Sequence, residues 1–203
     1  MPKKIKSIEE KYKKMSQIDH ILELPDTYIG SVQKNDMYLY VYNNEKETME
    51  KKNISIVPGL YKIFDEILVN AFDQYVRINK TIKNTKNPVN SIKVDINNNE
   101  ISVYNDGEGI DIEIHKEHNI YIPELIFGNL LTSTNYDKDE EKITGGKNGY
   151  GAKLTNIYST FFKIETVDCK NKKKYIQTWE NNMSKKSDPI ISKFSGKPYT
   201  KIT

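Results

Sequence analysis

Apolar residues at three- and four-residue intervals predict one long helix. They begin after Pro58, continue to about Arg77 and would form a continuous stripe suited to packing on a sheet. The stripe consists of Leu60, Ile63, Phe64, Ile67, Leu68, Ala71 and Tyr75. The same spacing in shorter segments predicts helices over residues 16–24, 124–131 and 152–158.

Alternating apolar and polar residues predict two hairpins. In the first, residues 92–96 and 101–105 flank three asparagines, which tolerate the left-handed conformation that such a loop needs. In the second, residues 161–167 and 175–179 flank a lysine-rich turn. Further strands are predicted at residues 38–42, 54–57 and 190–191, and in the final residues up to Thr203. This order of strands and helices is compatible with an α+β domain.

Composition limits what this domain can be. The 203 residues suffice for one sizeable core, so we predict a charged N-terminal arm over residues 1–15 and one domain over residues 16–203. The formal net charge of +3 is too small to indicate nucleic-acid binding by itself. The single cysteine, Cys169, excludes an internal disulfide, and no apolar run approaches the roughly 20 residues that span a bilayer. We expect a soluble, intracellular protein with no membrane partner.

Residues 145–153, Gly-Gly-Lys-Asn-Gly-Tyr-Gly-Ala-Lys, are the most informative segment. Glycine lets a polyphosphate approach the main chain, so successive N–H groups can converge on its oxygens, and the lysines add positive charge. The loop leads into the predicted helix at residues 152–158, whose N-terminal end attracts anions. The candidate phosphate-binding residues are Gly146, Lys147, Asn148, Gly149, Tyr150, Gly151, Ala152 and Lys153. From glycine content alone, a flexible surface loop is an equally good interpretation.

This loop differs from two common phosphate-binding motifs. Aligned with a Walker loop from Gly146, it has its lysine one place late, and no Ser or Thr follows to hold a magnesium ion. Aligned with the dinucleotide fingerprint, it has Leu154 in place of the third glycine. Neither motif describes the segment.

Three further groups of residues carry candidate chemistry. Glu66 and Asn70 are four residues apart on the long helix, where a carboxylate can act as a general base and an amide oxygen can take Mg²⁺. Asp106 ends a predicted strand before two glycines, and its carboxylate could accept a hydrogen bond from an exocyclic amine. Residues 133–135, Ser-Thr-Asn, could cap a helix end or reach phosphates and ribose. Each group alone is more often an ordinary helix face, turn or cap.

Together, and in this order, the segments resemble the three nucleotide boxes of the GHKL ATPases. The boxes are Glu-Ile-Leu-Val-Asn-Ala at residues 66–71, Asp-Gly-Glu-Gly at residues 106–109, and the loop at residues 145–153. Longer segments look like eukaryotic-type DNA topoisomerase II, and this match runs from about Tyr12 to the C-terminus. They are residues 25–31, 56–60, 121–128 and 131–133.

The resemblance implies a fold and a nucleotide site. The fold would be the GHKL, or Bergerat, ATPase sandwich, in which a mixed, mostly antiparallel sheet carries helices on one face. The ligands would be ATP and Mg²⁺, with Glu66 as the general base, Asn70 as the Mg²⁺ ligand and Asp106 at the adenine amino group. Residues 146–153 would close over the triphosphate. The residues that would contact ribose and phosphate are Ser133, Thr134 and Asn135.

The resemblance also implies a longer, dimeric enzyme. ATP would join two identical protomers through an exchanged N-terminal arm, with Tyr28 reaching the partner's nucleotide, and would drive one DNA duplex through a double-strand break in another. The γ-phosphate would need a lysine of a transducer domain, and DNA cleavage a tyrosine, both beyond Thr203. We therefore expect ATP binding with poor turnover by this chain alone. The location would be the nucleus for a cellular eukaryotic protein, and the cytoplasm or a viral factory for a viral one.

Other functions are compatible with the same residues. Heat-shock chaperones, mismatch-repair ATPases and sensor histidine kinases share the boxes, but a histidine kinase needs an upstream acceptor histidine, for which His20 is the only candidate. His115 and His118 lack partners at metal-ligand spacing and are interpreted as structural. The main alternative is a nucleotide-gated dimerisation module in which hydrolysis is incidental. Lysine clusters at residues 3–6, 11–14, 170–174 and 185–186 could contact DNA, although solvated surfaces or tails are their commoner role.

Overall fold

Seven antiparallel strands form the sheet that carries the domain. The structure is a computed structural model and describes residues 7–8, 14–81, 85–130 and 149–203. Within these ranges, the sheet has the order β3-β4-β9-β5-β6-β7, and β8 also pairs with β6. Its strands are β3 (Ile92–Ile96), β4 (Ile101–Asp106), β5 (Phe161–Asp168), β6 (Lys173–Glu180), β7 (Lys185–Lys186), β8 (Ile190–Lys193) and β9 (Tyr199–Ile202). A separate antiparallel pair joins β1 (Asn35–Asn43) to β2 (Thr48–Ile56).

The last strand joins the two predicted hairpins into one sheet. β9 lies between β4 and β5, and Ile202 is paired with Val103 on one side and with Ile164 on the other. The sequence predicts both hairpins and a C-terminal strand, and all three are confirmed. The central position of β9 makes the sheet continuous.

Five α-helices accompany the strands in the described ranges. They are α1 (Gln17–Glu23), α2 (Pro25–Tyr28), α3 (Pro58–Tyr75), α4 (Ile122–Gly128) and α5 (Gly151–Ile157). The Ser16 hydroxyl caps α1 by accepting a hydrogen bond from the Asp19 amide, and proline stands in the first turn of α3 and of α4, where no N–H is needed. A six-residue π-helix, Val76–Thr81, continues α3, so the long predicted helix changes its winding at its C-terminal end. None of the helices in these ranges is long and apolar enough to cross a membrane.

The core lies between the helices and one face of the sheet. On β5, Phe162, Ile164 and Thr166 are buried, whereas Lys163 and Glu165 lie on the other face and form an ion pair at 2.6 Å. The helices contribute Ile67, Ala71, Phe127 and Ala152 to the same apolar cluster. This arrangement confirms the predicted α+β sandwich with helices on one face of the sheet.

A second, smaller apolar cluster attaches the N-terminal helices to α5. Ile21 and Ile29 pack with Leu154 and Ile157, and all four are buried. The Tyr158 hydroxyl also donates a hydrogen bond to the Ile21 carbonyl. The segment that precedes the sheet is therefore fixed to the helix that follows the glycine-rich loop.

Candidate nucleotide-binding site

Three polar residues lie along one side of α3. Glu66, Asn70 and Gln74 are spaced four residues apart, which places them one above the other on a helix. At one end, Gln74 Nε2 donates to the Glu108 carbonyl in the loop after β4, at 2.8 Å. At the other end, the Glu66 carboxylate lies against Gly151 at the start of α5. This side of α3 therefore extends from the loop after β4 to the glycine-rich segment, and the exposed Asn70 lies between them.

The contact between Glu66 and Gly151 leaves no room for a side chain at residue 151. A Cβ added there would lie 1.9 Å from Glu66 Oε2. Two residues earlier, Gly149 has a φ of +66°, which side chains rarely adopt. Glycine is thus required at both positions for physical reasons, and the predicted general base touches the predicted phosphate loop.

Lys62 holds the Glu66 carboxylate from the preceding turn of α3. Lys62 Nζ lies 2.5 Å from Glu66 Oε1, and this hydrogen bond raises the pKa of Lys62. About half of the Lys62 side chain is exposed, so the ion pair adds little to the stability of the fold. Its effect is to orient the carboxylate.

Lys153 is a buried cation on α5, two residues beyond Gly151. Only 3% of its surface is exposed, and burial lowers its pKa to about 8. Ala152 beside it is buried in the core and anchors this first turn. Six other predicted site residues, Ser133, Thr134, Asn135, Gly146, Lys147 and Asn148, lie outside the described residues.

Asp106 lies on the opposite face of the sheet from this site. It is paired with Tyr199, and its Oδ1 accepts hydrogen bonds from the amides of Asn90 and Ser91, both at 2.8 Å. Because side chains alternate along β4, the carboxylate points away from the face that packs against α3 and fixes the segment before β3 instead. The described geometry does not bring Asp106 together with Glu66 and Asn70, and its role at the adenine amino group stays a prediction.

Asn105, one residue earlier, lies on the helix-facing side. It is buried and pairs with Thr200, whose hydroxyl lies 3.0 Å from that of Thr166. The Thr166 hydroxyl also accepts a hydrogen bond from the Ile110 amide at 2.9 Å. Sequence reasoning missed Asn105. The alternation along β4 could have revealed it, because Asn105 is two residues from the core residue Val103 and therefore faces the same side of the sheet.

The loop after β4 packs closely against β5. A Cβ at Gly109 would lie 2.1 Å from the Val167 carbonyl oxygen. At Gly107, φ is +97°, and a Cβ would lie 2.5 Å from the Val89 side chain. The two glycines of the predicted Asp-Gly-Glu-Gly box are therefore needed for the loop to pack in this position. This requirement is independent of which side chain contacts a ligand.

Tyr28 belongs to the N-terminal segment that packs on α5. Its hydroxyl lies 2.9 Å from His20 Nδ1, and the two rings meet edge to face. Nearby, Gln17 Nε2 donates to the hydroxyl of Tyr150 at 3.4 Å, which links the segment to the glycine-rich loop. The role of Tyr28 at a partner's nucleotide stays a prediction.

Comparison with known proteins agrees with this geometry. The sequence pattern of the histidine kinase-, DNA gyrase B- and HSP90-like ATPases matches residues 56–183, and the chain belongs to this family. More narrowly, the chain is similar to DNA topoisomerase 2 of Plasmodium falciparum, at 56% identity over 202 residues that cover 98% of this chain and 14% of that protein. It is 53% identical to DNA topoisomerase 2 of Saccharomyces cerevisiae over 198 residues, which cover 97% of this chain and 13% of that protein.

Solved structures give the same result. The ATPase region of Saccharomyces cerevisiae topoisomerase II matches with a TM-score of 0.90 at 53% identity, covering 97% of this chain and 50% of that one. The 43K ATPase domain of Thermus thermophilus gyrase B matches with a TM-score of 0.61 at 18% identity, covering 91% of this chain and 37% of that one, a likeness of fold alone. The predicted resemblance to topoisomerase II and the predicted GHKL fold are confirmed.

Proposed function

We propose that this chain binds ATP between α3 and the glycine-rich loop and serves as the ATPase domain of a type II DNA topoisomerase. ATP binding would dimerise two such domains and drive passage of one duplex through a transient break in another. The contact between Glu66 and Gly151 supports the proposal, because the carboxylate lies against a helix start that would bind the phosphates. The chain spans about 14% of the length of the curated relatives it matches, so the activity of the whole enzyme belongs to this proposal.

Glu66 is the proposed general base. Its carboxylate would take a proton from the water that attacks the γ-phosphate, while Lys62 keeps it oriented from the preceding turn. Asn70, on the same side of α3 and exposed, offers one amide oxygen. This fits Mg²⁺, which proteins commonly hold through few side chains together with substrate phosphates and water. When bound, the ion would neutralise charge on the triphosphate.

Asn105 is the proposed adenine contact in place of Asp106. The Asn105 Nδ2 donates to the Asp106 carbonyl at 2.9 Å, which leaves one N–H and the side-chain oxygen to donate to a ring nitrogen and accept from an exocyclic amine. The Asp106 carboxylate, which can only accept, already accepts two backbone amides. Thr200 and Thr166 place two hydroxyls beside it. The rest of the site would comprise Lys153 and the predicted residues 133–135 and 146–148, with Tyr28 supplied to the partner's nucleotide.

We expect poor turnover by this chain alone, because the resemblance assigns one γ-phosphate ligand to a following domain. If hydrolysis is incidental, the same geometry would serve as a nucleotide-gated dimerisation module. Glu66→Ala separates the two functions, because an ATPase should lose turnover and keep nucleotide binding.

Thermal melting with a non-hydrolysable ATP analogue and Mg²⁺ tests the site. At about 100 times its dissociation constant, a bound ligand stabilises the native state by about 2.7 kcal/mol, or roughly 5–10 °C for a domain of this size. We expect Asn105→Ala to abolish this shift. Asp106→Ala, the matched control, should lower the melting temperature without ligand and keep the shift. If Asp106→Ala abolishes the shift and Asn105→Ala keeps it, Asp106 would be the adenine contact instead. The absence of a shift in the unaltered chain would contradict the proposed nucleotide site.

A further inference from the structure

One end of the seven-stranded sheet carries exposed lysines from three segments. We call this surface the lysine end, and it consists of Lys172 in the β5–β6 turn, Lys173 on β6, Lys193 on β8 and Lys197 in the loop before β9. The main chain holds the segments together, since the Phe194 amide donates to the Lys172 carbonyl at 2.8 Å. Positive charge from separate parts of the chain therefore meets at one place.

Two of these lysines face each other across a ladder. Lys173 of β6 is paired directly with Lys193 of β8, and like charges at such positions destabilise a sheet. Within the described ranges, no ion pair involves any lysine of the lysine end. Repulsion between Lys173 and Lys193 is thus left without a neutralising side chain in this part of the fold. A local arrangement that opposes stability is typical of functional surfaces.

Three carboxylates on β5 and in the loop that packs on it are engaged by other groups. Asp168, at the end of β5, accepts hydrogen bonds from three backbone amides. Asp111 pairs with Lys170 at 3.1 Å. Glu165 pairs with two lysines on the open face of the sheet, at 2.6 and 3.1 Å. None of these three carboxylates forms an ion pair with the lysine end, whose exposed cations are open to an anionic ligand.

The lysine end is separate from the proposed triphosphate site. Glu66 and Gly151 mark the phosphate end of α3, whereas Gln74 and Glu108 mark the other end, beside the loop that packs on β5. A nucleotide whose phosphates lie against the glycine-rich loop would leave these lysines unneutralised.

We propose that the lysine end binds the phosphate backbone of duplex DNA. This inference rests on the proposed function, which supplies DNA as the class of partner. Lysines that contact phosphates bind DNA independently of base sequence and release counterions, so the affinity falls steeply with salt. A phosphate close to both Lys173 and Lys193 would also relieve the repulsion between them.

Fluorescence anisotropy with a labelled duplex of about 20 base pairs tests the proposal over about 50 to 200 mM NaCl. The test variant is Lys172→Gln/Lys173→Gln/Lys193→Gln. Its control, Lys14→Gln/Lys34→Gln/Lys51→Gln, removes the same charge from exposed lysines near the N-terminal helices and on the separate β1–β2 pair. Each lost phosphate contact lowers the slope of log K against log salt by about 0.9, so we expect the test variant to lose up to about 3 from this slope and at least about tenfold in affinity. The control should lose much less. Equal losses in the two variants, or an unchanged slope in the test variant, would overturn the proposal.

Lys193→Glu tests whether the lysines bind DNA directly, because it should change stability and DNA affinity in opposite directions. The substitution turns the repulsive pair with Lys173 into an attractive one, so the melting temperature should rise by about 1–3 °C while DNA binding weakens. A variant that is more stable and binds DNA as tightly as before would contradict the proposal.

Three further outcomes show which proposal has failed. Loss of the nucleotide-induced melting shift in the unaltered chain would count against the proposed function. An intact shift without salt-dependent DNA binding would overturn this inference alone. Binding to phosphatidylserine vesicles that is lost in the lysine variant, without DNA binding, would assign the surface to a membrane and also overturn it.

Discussion

Lys153 shows at the scale of one residue how burial tunes a binding site. The fold removes this lysine from water, which lowers its pKa to about 8 and makes its charge depend on pH near neutrality. A triphosphate would favour the protonated form. At neutral pH the domain therefore holds a buried cation, and an anionic ligand would stabilise its protonated form.

Stability measured against pH tests this account of Lys153. Below pH 8, Lys153 is protonated in both the native and the unfolded state. Between pH 8 and pH 10.5, native Lys153 has lost the proton that it still binds in the unfolded chain. The free energy of unfolding therefore rises with pH over this range. Relative to Lys153→Met, the unaltered chain should gain about 2 kcal/mol between pH 7 and pH 9.5. Urea unfolding at both pH values measures this difference, with the exposed Lys51→Met as control. A constant difference between the two proteins would show that Lys153 titrates normally.

At the scale of secondary-structure elements, the packing of α3 against α5 builds the candidate site. The Thr155 hydroxyl donates to the Ile63 carbonyl at 2.8 Å and joins the two helices below the contact between Glu66 and Gly151. The start of α5 is thereby held against the side of α3 that carries Glu66 and Asn70. Neither helix forms this surface by itself.

A double-mutant cycle tests that contact. Gly151→Ala places a methyl group where Glu66 Oε2 now lies, so we expect it to destabilise the domain by about 1–3 kcal/mol. In a Glu66→Ala background the carboxylate is gone, and the cost should fall to less than half of this value. Denaturant unfolding of the four proteins measures the coupling. If the two substitutions change the free energy of unfolding additively, the start of α5 can move away from Glu66 with little loss of stability.

At the scale of the whole molecule, one sheet connects three surfaces. The helix-facing side carries the proposed nucleotide site, the N-terminal helices pack on α5 beside it, and the lysine end lies at the end of β5. The hydrogen bond from Gln17 to Tyr150 and the packing of Ile21 on Leu154 link the N-terminal segment to the loop that would close on ATP. This connection gives ATP binding a physical route to the proposed dimer arm.

Turnover tests the proposed function at this scale. A chain extended beyond Thr203 by the next domain of the relatives should hydrolyse ATP at least tenfold faster than these 203 residues. In the extended chain, Glu66→Ala should abolish turnover and keep nucleotide binding, because a general base acts on the chemical step. Equal rates from the two chains would contradict the need for the following domain, and turnover that survives Glu66→Ala would remove Glu66 as the base.

The sequence by itself predicted most of the secondary structure and supplied the residues proposed for the site. It did not predict the short helix Pro25–Tyr28 or the π-helix Val76–Thr81. Periodicity predicted α3 and both hairpins, because helices and strands have characteristic repeats in the local sequence. The order of the three boxes identified the ATPase family. Glu66, Asn70 and Gly151 were found in this way because each stands in a short motif with a local chemical rationale.

Only the tertiary structure decided which groups meet. β9 lies between β4 and β5 because backbone hydrogen bonds join strands that are distant in sequence, which no local repeat encodes. The same sheet places Asn105 toward α3 and Asp106 away from it, since adjacent residues of a strand project to opposite faces. The pairing of Lys173 with Lys193 likewise depends on the register between β6 and β8. The sequence thus determined the residue types of the candidate site, and long-range strand pairing decided their positions.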